Sequence, residues 1–409
     1  MTTPLVSFCI PTFNRSRYLA SLLQSLLQQL ASFPYPFELV IADNASDDAT
    51  QQVVAEFSEV LPIRALRHDT NIGGFPNVQF VMTRAEGRYV VYLADDDCVL
   101  GEPLARAIAA MEADPSVAVT YAPWLLHDLV DDRPLGQFYV VPKELRITRG
   151  DFAELLNHIL KHHIFPEIFI ARREVLQRQL PRISEHAFFA FVHAADYLAQ
   201  GDMLIRPEPF YVSITRYFAN EQRSQLGHQE VEVAWDRYRG GLEYLLARAG
   251  NAVGVEERVG FALRIQKMIA VRLSVAIRLR HAARRDPVDT HLLAMRLRGM
   301  GYESMLPVPM SVLASQAMLH FLLHDPLLNR DIKRMVCVGS FDKDTYRYLQ
   351  EHAQVPVHAV NSVADAGALH DTLLFVDDEQ PYAALDIALT SSRNLQLVRA
   401  SDLCMRFGL

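Results

Sequence analysis

Three consecutive aspartates, Asp95, Asp96 and Asp97, are the residues of this sequence best suited to chemistry. They follow an apolar run, residues 89–94, that is typical of a buried strand. Adjacent carboxylates repel one another and lose solvation there, and a hard divalent cation such as Mg²⁺ or Mn²⁺ removes that cost. Because alternate residues of an extended chain point the same way, we expect Asp95 and Asp97 to be the metal pair.

Polar clusters also follow two earlier apolar runs, residues 6–10 and 37–42. Ligands of open parallel sheets bind beyond the carboxyl ends of the strands, so we expect these clusters to meet the aspartates at one edge. The clusters are Pro11-Thr12-Phe13-Asn14-Arg15 and Asp43-Asn44-Ala45-Ser46-Asp47-Asp48.

Two further features fit a bound nucleotide. The carboxylate of Asp43 could accept hydrogen bonds from a base or ribose, although it could equally cap the following helix. The turn Asn71-Ile72-Gly73-Gly74 lets the chain pass close to a ligand, and its alternative is an ordinary loop.

The elements that must position these residues alternate between strand and helix patterns over residues 1–125, which predicts a mainly parallel α/β sheet. We expect residues 126–228 to complete the same domain and to face the acceptor. Residues 229–330 have a helical pattern, and residues 331–409 return to alternation, as in a small Rossmann-like α/β domain.

The 409 residues carry a net charge of -8, which gives no general attraction to nucleic acid. Four scattered cysteines, no signal-peptide pattern and no long apolar run predict a cytoplasmic protein. Residues 255–285 carry many arginines among apolar residues. They predict a helix with a solvated basic face, or one that contacts an anionic membrane peripherally.

The motifs resemble those of the family 2 glycosyltransferases, which have the GT-A fold. The resemblance rests on Ser7-Phe8-Cys9-Ile10-Pro11-Thr12-Phe13-Asn14-Arg15, Val40-Ile41-Ala42-Asp43-Asn44-Ala45-Ser46-Asp47-Asp48, Asn71-Ile72-Gly73-Gly74 and Leu93-Ala94-Asp95-Asp96-Asp97. It implies a nucleotide-diphosphate sugar as donor and a Mn²⁺ or Mg²⁺ cofactor. Asp95 and Asp97 would fill the DXD role, contacting ribose and metal-bound diphosphate. The residues that we expect to bind the donor are Pro11, Thr12, Phe13, Asn14, Asp43, Asn71, Gly73, Asp95 and Asp96.

The family's catalytic base is usually the acidic residue of a Glu-Asp pair that starts a helix. Its best local match is Asp196, preceded here by Ala195 rather than Glu. A carboxylate there could remove the acceptor proton and give inversion. Glu185 and Glu167 are the alternatives.

Three residues near the end of the acceptor half, residues 126–228, complete the expected site. Some GT-A enzymes supply a histidine to the metal or diphosphate, and His228 is the candidate here, its alternative being a structural role. Arg216 and Arg223 could pair with diphosphate oxygens or with surface acids.

The sequence therefore predicts an inverting, metal-dependent glycosyltransferase that acts on a glycan, lipid-linked or protein acceptor in surface polysaccharide or glycoconjugate synthesis. The alternative is a non-catalytic nucleotide-sugar-binding or scaffold protein. A homo-oligomer is compatible with either function. A nucleotidyltransferase is a weaker option, because its Gly-rich basic loop is missing after the first strand.

Overall fold

A computed structural model describes residues 3–178, 186–219, 235–341, 343–377, 385–386, 389–390 and 392–409. The described residues separate into two compact units. The first comprises those of Met1–His228 and Ala234–Ile269, and the second those of Ala270–Leu409. The three-part division expected from the sequence remains a prediction.

The first unit alternates strands and helices. Its strands are β1 (Val6–Thr12), β2 (Phe37–Asp43), β3 (Ile63–Arg67), β4 (Tyr89–Tyr92), β5 (Asp97–Val99), β6 (Val117–Tyr121), β7 (Leu125–Asp128), β8 (Arg133–Gln137), β9 (Leu145–Ile147), β10 (Phe169–Arg172), β11 (Asp202–Ile205) and β12 (Tyr211–Arg216). Its helices are α1 (Ser16–Gln29), α2 (Thr50–Ser58), α3 (Gly74–Thr83), α4 (Gly101–Ala113), α5 (Phe152–His162), α6 (Arg173–Gln177), α7 (Phe189–Leu198) and α8 (Trp235–Ala249). Helix α9 (Val255–Ala282) begins in this unit and ends in the second.

The main sheet has the strand order β3-β2-β1-β4-β10-β6-β11-β9. Strand β1 is parallel to β2 and β4, so the ends of all three lie at the same edge. Strand β10 runs antiparallel between β4 and β6. The expected α/β class with a mainly parallel sheet is confirmed, and so are a helical region and an additional sheet domain.

Strand β1 continues through Pro11 to Thr12, whereas the sequence predicted that Pro11 would stop it. Proline cannot donate to a ladder, and the pairing of β1 with β4 already ends at Cys9, opposite Tyr92. Pairing with β2 continues to Thr12, opposite Asp43. The first polar loop therefore begins after Thr12.

A second sheet, β5-β12-β7-β8, occupies a region that the sequence pattern left irregular. Its strand β5 starts at Asp97, which lies opposite Ser213 of β12. A strand of three residues is too short to show alternation, so the third aspartate was not recognised as part of a strand.

Helix α7 runs from the carboxyl edge of the main sheet toward its amino edge. It ends at Leu198, and β11 begins at Asp202, opposite Val117 at the start of β6. Because β11 and β6 run parallel, the end of α7 lies toward the amino edge of the sheet. The beginning of α7 lies toward the carboxyl edge. There the Phe189 ring packs against the Phe75 ring of α3, with the two ring centroids 5.2 Å apart.

Several arginines of the basic segment bond within the protein. Arg258 donates to the carbonyl of Gly250 at 2.6 Å, and Arg264 donates to that of Asn157 at 3.1 Å. Arg280 donates to the Thr290 hydroxyl at 3.2 Å. These guanidinium groups satisfy local carbonyl and hydroxyl oxygens, and contact of this segment with a membrane remains a prediction.

The second unit contains a four-stranded parallel sheet in the order β14-β13-β15-β16. Its strands are β13 (Arg334–Val338), β14 (Val357–Val360), β15 (Thr372–Val376) and β16 (Leu395–Arg399). Its helices are the end of α9, α10 (Pro287–Gly299), α11 (Met310–His324), α12 (Lys343–His352) and α13 (Ala400–Phe407). None of the helices described for the two units is both long and apolar enough to cross a bilayer.

Gly101 allows the start of α4 to approach the end of α1, since a Cβ there would lie 2.0 Å from the carbonyl oxygen of Gln29. We expect Gly101→Ala to lower the free energy of unfolding of the first unit by about 1–3 kcal/mol. The measurement is the first transition in urea. Gly260→Ala, in the same unit and with open space around its Cβ, is the control and should raise stability by about 0.5–1 kcal/mol. Equal effects of the two substitutions would contradict this close packing.

Candidate functional site

The loops after β1 and β2 are joined by hydrogen bonds at the carboxyl edge. The Asn14 amide donates to the Ser46 hydroxyl, and the Asp47 amide donates to the Asn14 side-chain oxygen, each at 2.9 Å. The Asn44 amide donates to the carbonyl of Thr12, also at 2.9 Å. The two loops therefore form one rigid surface.

This surface includes two residues in the left-handed region, Asn14 at φ 52° and Ala45 at φ 65°. Asparagine tolerates that conformation, but for alanine it costs about 1 kcal/mol or more of conformational free energy. The hydrogen bonds between the loops hold both residues in place.

Asp43 is buried, and both of its carboxylate oxygens have partners. One accepts from the Ser46 amide at 2.9 Å, and the other accepts from Arg67 at 2.5 Å. Capping of α2 falls to Asp48, which accepts from the Thr50 amide. The helix-cap alternative for Asp43 is therefore wrong, and Asp43 is held by Arg67 at the site.

Asn44 joins a third loop, the one after β3 that contains Asn71 and Gly73, to the loops after β1 and β2. Its amide nitrogen donates to the Asn71 side chain at 2.9 Å, and its oxygen accepts from the Ile72 amide at 2.9 Å. Gly73 has φ 93°, a conformation that favours glycine. Of the residues expected to bind the donor, Phe13, Asn14, Asn71 and Gly73 thus lie on the three joined loops, and Pro11, Thr12 and Asp43 lie at the ends of β1 and β2 beside them.

Asp95 and Asp96 share one cation, the guanidinium of Arg15. Its Nη1 atom lies 3.1 Å from Asp95 Oδ1 and 2.8 Å from Asp96 Oδ2. The two carboxylates are only 6% and 10% exposed. The structure therefore brings Asp95 together with Asp96, not with Asp97.

The reason is that residues 94–97 form a turn, closed by the Asp97 amide donating to the carbonyl of Ala94 at 3.3 Å. Alternation of side chains holds for strands and fails in a turn. Asp97 instead accepts from the Tyr211 hydroxyl and from the Ile214 amide, both at 2.8 Å. The ion pairs of Arg15 therefore join Asp95 to Asp96, and the assignment of Asp95 and Asp97 as the metal pair remains a prediction.

Asp95 and Asp97 are hard to ionise in this setting. Burial, followed by the charge of Asp96, raises the pKa of Asp95 to about 7, against the opposing effect of Arg15. Burial and Asp96 also raise the pKa of Asp97 to about 7, although the Ile214 amide and the Tyr211 hydroxyl oppose this. A cation is therefore needed to keep this turn charged near neutral pH.

The described residues contain no group of three His, Cys, Asp or Glu side chains placed to hold a metal ion. Mg²⁺ needs fewer protein ligands than three, because it commonly binds one or two carboxylates and completes its coordination shell with phosphate oxygens and water. Two adjacent carboxylates already converge on one cation, Arg15. The donor set fits a divalent ion that shares its coordination with a bound diphosphate.

Glu167 lies near the aspartates. It precedes β10, which runs antiparallel to β4 with Ile170 opposite Val91, so residues before Phe169 lie beyond the end of β4. Burial raises the pKa of Tyr92 well above its usual range, and the charges of the three aspartates and of Glu167 raise it further. Glu167 therefore contributes to the negative charge of this edge.

Asp196 occupies a different place from that of the family's base. It lies in the last turn of α7, toward the amino edge of the sheet, rather than at the start of a helix. Its carboxylate accepts from Arg248 of α8 at 3.3 Å. The motif match behind this choice does not hold structurally, and the assignment of Asp196 as base remains a prediction.

The other expected site residues are distributed as follows. Arg216 forms ion pairs with Asp128 at 2.9 Å and with Asp131 at 3.0 Å, so its recorded partners are acidic residues of the protein. His228, Glu185 and Arg223 lie outside the described residues.

Sequence reasoning assigned no role to two cations that the structure places here, Arg15 and Arg67. Both had a usable signal, because Arg67 ends β3 and Arg15 follows the end of β1 by three residues in the same parallel sheet. A positive residue beside predicted site carboxylates should have been considered as their counter-ion.

The model of glycosyl transferase family 2 matches residues 7–180, which contain all three loops and the aspartate turn. This part of the chain is similar to a family 2 glycosyltransferase domain. The matched segment ends after α6, so α7, β11, β12 and everything that follows lie outside it.

Curated relatives match part of the chain. An uncharacterised glycosyltransferase of Haemophilus influenzae is 30% identical over 119 residues, which are 29% of this chain and 38% of that protein. Abequosyltransferase RfbV of Salmonella typhimurium is 36% identical over 103 residues, or 25% of this chain and 31% of that protein. The chain thus spans well under half the length of these relatives.

The crystal structure of residues 1–349 of Staphylococcus aureus TarS with UDP-GlcNAc aligns with 73% of this chain and 90% of that chain. The sequence identity is 19% and the TM-score is 0.48.

We expect Asn44→Ala to loosen the third loop, because its amide makes bonds to Asn71, Ile72 and Gly73. The loss should lower the free energy of unfolding by about 1–3 kcal/mol. It should also speed hydrogen exchange at the Ile72 amide. Asp47→Ala is the control, since only the backbone amide of Asp47 joins the loops. Unchanged exchange at Ile72 in Asn44→Ala would contradict the joined-loop description.

Proposed function

We propose that this protein transfers a sugar from a nucleoside-diphosphate sugar to an acceptor hydroxyl, with inversion at the anomeric carbon. One observation carries the proposal: three loops of the family 2 domain are joined beside a buried aspartate turn at one sheet edge. That arrangement offers backbone, carboxylate and cationic groups to a single ligand.

The nucleotide would lie on the joined loops. Phe13 is 40% exposed despite its apolar ring, and so is Ile72, so both offer surface to a base. Asp43, held by Arg67, is an acceptor of fixed orientation. Exposed apolar surface beside a fixed acceptor suits recognition of a base by stacking and hydrogen bonding.

The diphosphate would lie over the aspartate turn. Asp95, Asp96 and Asp97 are the residues that would hold a Mn²⁺ or Mg²⁺ ion there, with His228 as a further candidate ligand. When bound, such an ion neutralises charge on the departing nucleoside diphosphate.

Transfer requires a base for the acceptor hydroxyl. The proton leaves the hydroxyl as its oxygen bonds to the anomeric carbon, and the bond to the diphosphate breaks on the opposite face. Glu167 is the better-placed candidate, because it lies beyond the end of β4 with the aspartates. Asp196 lies toward the other edge and is paired with Arg248.

The names of the relatives support the proposed class of acceptor. Their names include an abequosyltransferase, a poly(ribitol-phosphate) β-N-acetylglucosaminyltransferase and a putative teichuronic acid biosynthesis glycosyltransferase. We extend this to surface polysaccharide or glycoconjugate synthesis here, with a glycan, lipid-linked or protein acceptor.

One observation favours a second candidate, a nucleotide-sugar-binding protein without activity. The first turn of α7 contains no acidic residue, and its residues there are Phe189 and Ala190. An intact donor site without a base would bind nucleotide sugars and leave them unchanged.

Donor binding is tested by the melting temperature of the whole chain with UDP-, GDP-, CDP- and dTDP-sugars, each with and without Mn²⁺. A ligand at 100 times its Kd stabilises by about 2.7 kcal/mol, which shifts the melting temperature by a few degrees. We expect one nucleotide to give a larger, Mn²⁺-dependent shift. No shift with any of the four would overturn the proposed donor site.

The base is tested by two isosteric substitutions. Glu167→Gln should keep donor binding and slow transfer by about 100- to 10,000-fold, because a general base is lost. Asp196→Asn should keep most of the transfer rate and cost at most about 1 kcal/mol of stability, since its pair with Arg248 is partly exposed. Transfer and donor hydrolysis are both followed by release of nucleoside diphosphate.

The reverse pattern, with transfer lost in Asp196→Asn and kept in Glu167→Gln, would make Asp196 the base. Full donor binding without turnover by the wild-type protein, tried with several acceptors, would support the non-catalytic candidate.

A further inference from the structure

Arg15 occupies the position on Asp95 and Asp96 that a divalent ion would need. A single nitrogen, Nη1, contacts one oxygen of each carboxylate, at 3.1 and 2.8 Å. A guanidinium and a metal ion cannot both take these oxygens, because two cations so close together repel strongly in a largely buried site.

The backbone of Arg15 is anchored on both sides. The Asn14 amide donates to Ser46, and the Ser16 amide donates to Asp48, each at 2.9 Å. The guanidinium sits at the end of a flexible side chain that is 26% exposed. Arg15 can therefore leave the carboxylates by changing side-chain rotamers alone, without moving the loops.

A bound diphosphate would offer the Arg15 guanidinium a second anionic partner. Arginine binds phosphate oxygens through two parallel hydrogen bonds, and a nucleoside-diphosphate sugar brings two negative charges to this edge. If Arg15 turns to the diphosphate, Asp95 and Asp96 become available to a metal ion.

Resting on the proposed function, we propose that Arg15 is an exchangeable counter-ion that makes divalent-ion binding depend on the donor. Without donor, Arg15 neutralises Asp95 and Asp96 and competes with the ion. With donor, the diphosphate binds Arg15 and the ion takes the carboxylates. Metal and nucleotide would then bind cooperatively, although each binds weakly alone.

The test measures Mn²⁺ binding by electron paramagnetic resonance, with Mn²⁺ alone and then with UDP, GDP, CDP and dTDP in turn. Without nucleotide, we expect Arg15→Gln to bind Mn²⁺ at least 10-fold more tightly than the wild type. With the matching nucleotide, the wild type should gain at least 10-fold in Mn²⁺ affinity, and Arg15→Gln should gain much less.

Arg17→Gln is the matched control. It removes the same charge two residues away, where the guanidinium lies over the Phe218 ring at 4.1 Å. Its Mn²⁺ affinity should stay within about 2-fold of the wild type's, which separates competition by Arg15 from a general change in net charge.

Arg15→Lys is a second variant that tests the proposal if Arg15→Gln does not fold. It keeps a cation but shortens the reach, so we expect about 3-fold tighter Mn²⁺ binding without nucleotide. Mn²⁺ affinity equal to the wild type's in every folded Arg15 variant would overturn the proposal, and so would tight Mn²⁺ binding by the wild type alone. The Mn²⁺-only measurements involve no donor or transfer, so they fail independently of the proposed function.

Discussion

The charge on the aspartate turn is the constraint on which the site depends. Asp95 is almost fully buried next to the charge of Asp96, which disfavours the ionised form of Asp95 and raises its pKa. Removing one partner of such a buried ion pair commonly costs about 3–5 kcal/mol. The turn therefore needs a cation in every state of the protein, and the loop after β1 supplies one through Arg15. This explains why a residue that immediately precedes α1 also belongs to the candidate site.

Two other carboxylates of the same sheet are also neutralised by arginines. Asp43 is paired with Arg67 at the end of β3, and Glu38 at the start of β2 is paired with Arg64. In each case the arginine comes from the adjacent parallel strand, so strand register determines which charges meet. Burial tends to raise the pKa of Glu38, but hydrogen bonds from Ser7 and Arg64 lower it overall. The sheet thus positions the site and also neutralises it.

The sequence predicted the order of elements and the edge at which the motifs meet, because apolar runs and polar strand ends are local signals. It did not predict that Asp95 would share a cation with Asp96. That depends on the turn at residues 94–97 and on pairing between β5 and β12, more than a hundred residues apart. It also did not predict the individual strands of residues 126–228, of which β8 and β9 are short and partly exposed, so that their side-chain alternation is weak.

The choice of a base shows why a short motif can mislead. Asp196 matches the family's motif by residue type alone, and the function of that motif depends on where its helix begins. Helix α7 starts at Phe189, so Asp196 lies seven residues, or about 10 Å at 1.5 Å per residue, along the helix from its start. Glu167 has no motif around it but precedes a strand that runs antiparallel to β4, which brings it to the aspartates. Strand direction, more than residue pattern, determines which carboxylate can reach an acceptor at this edge.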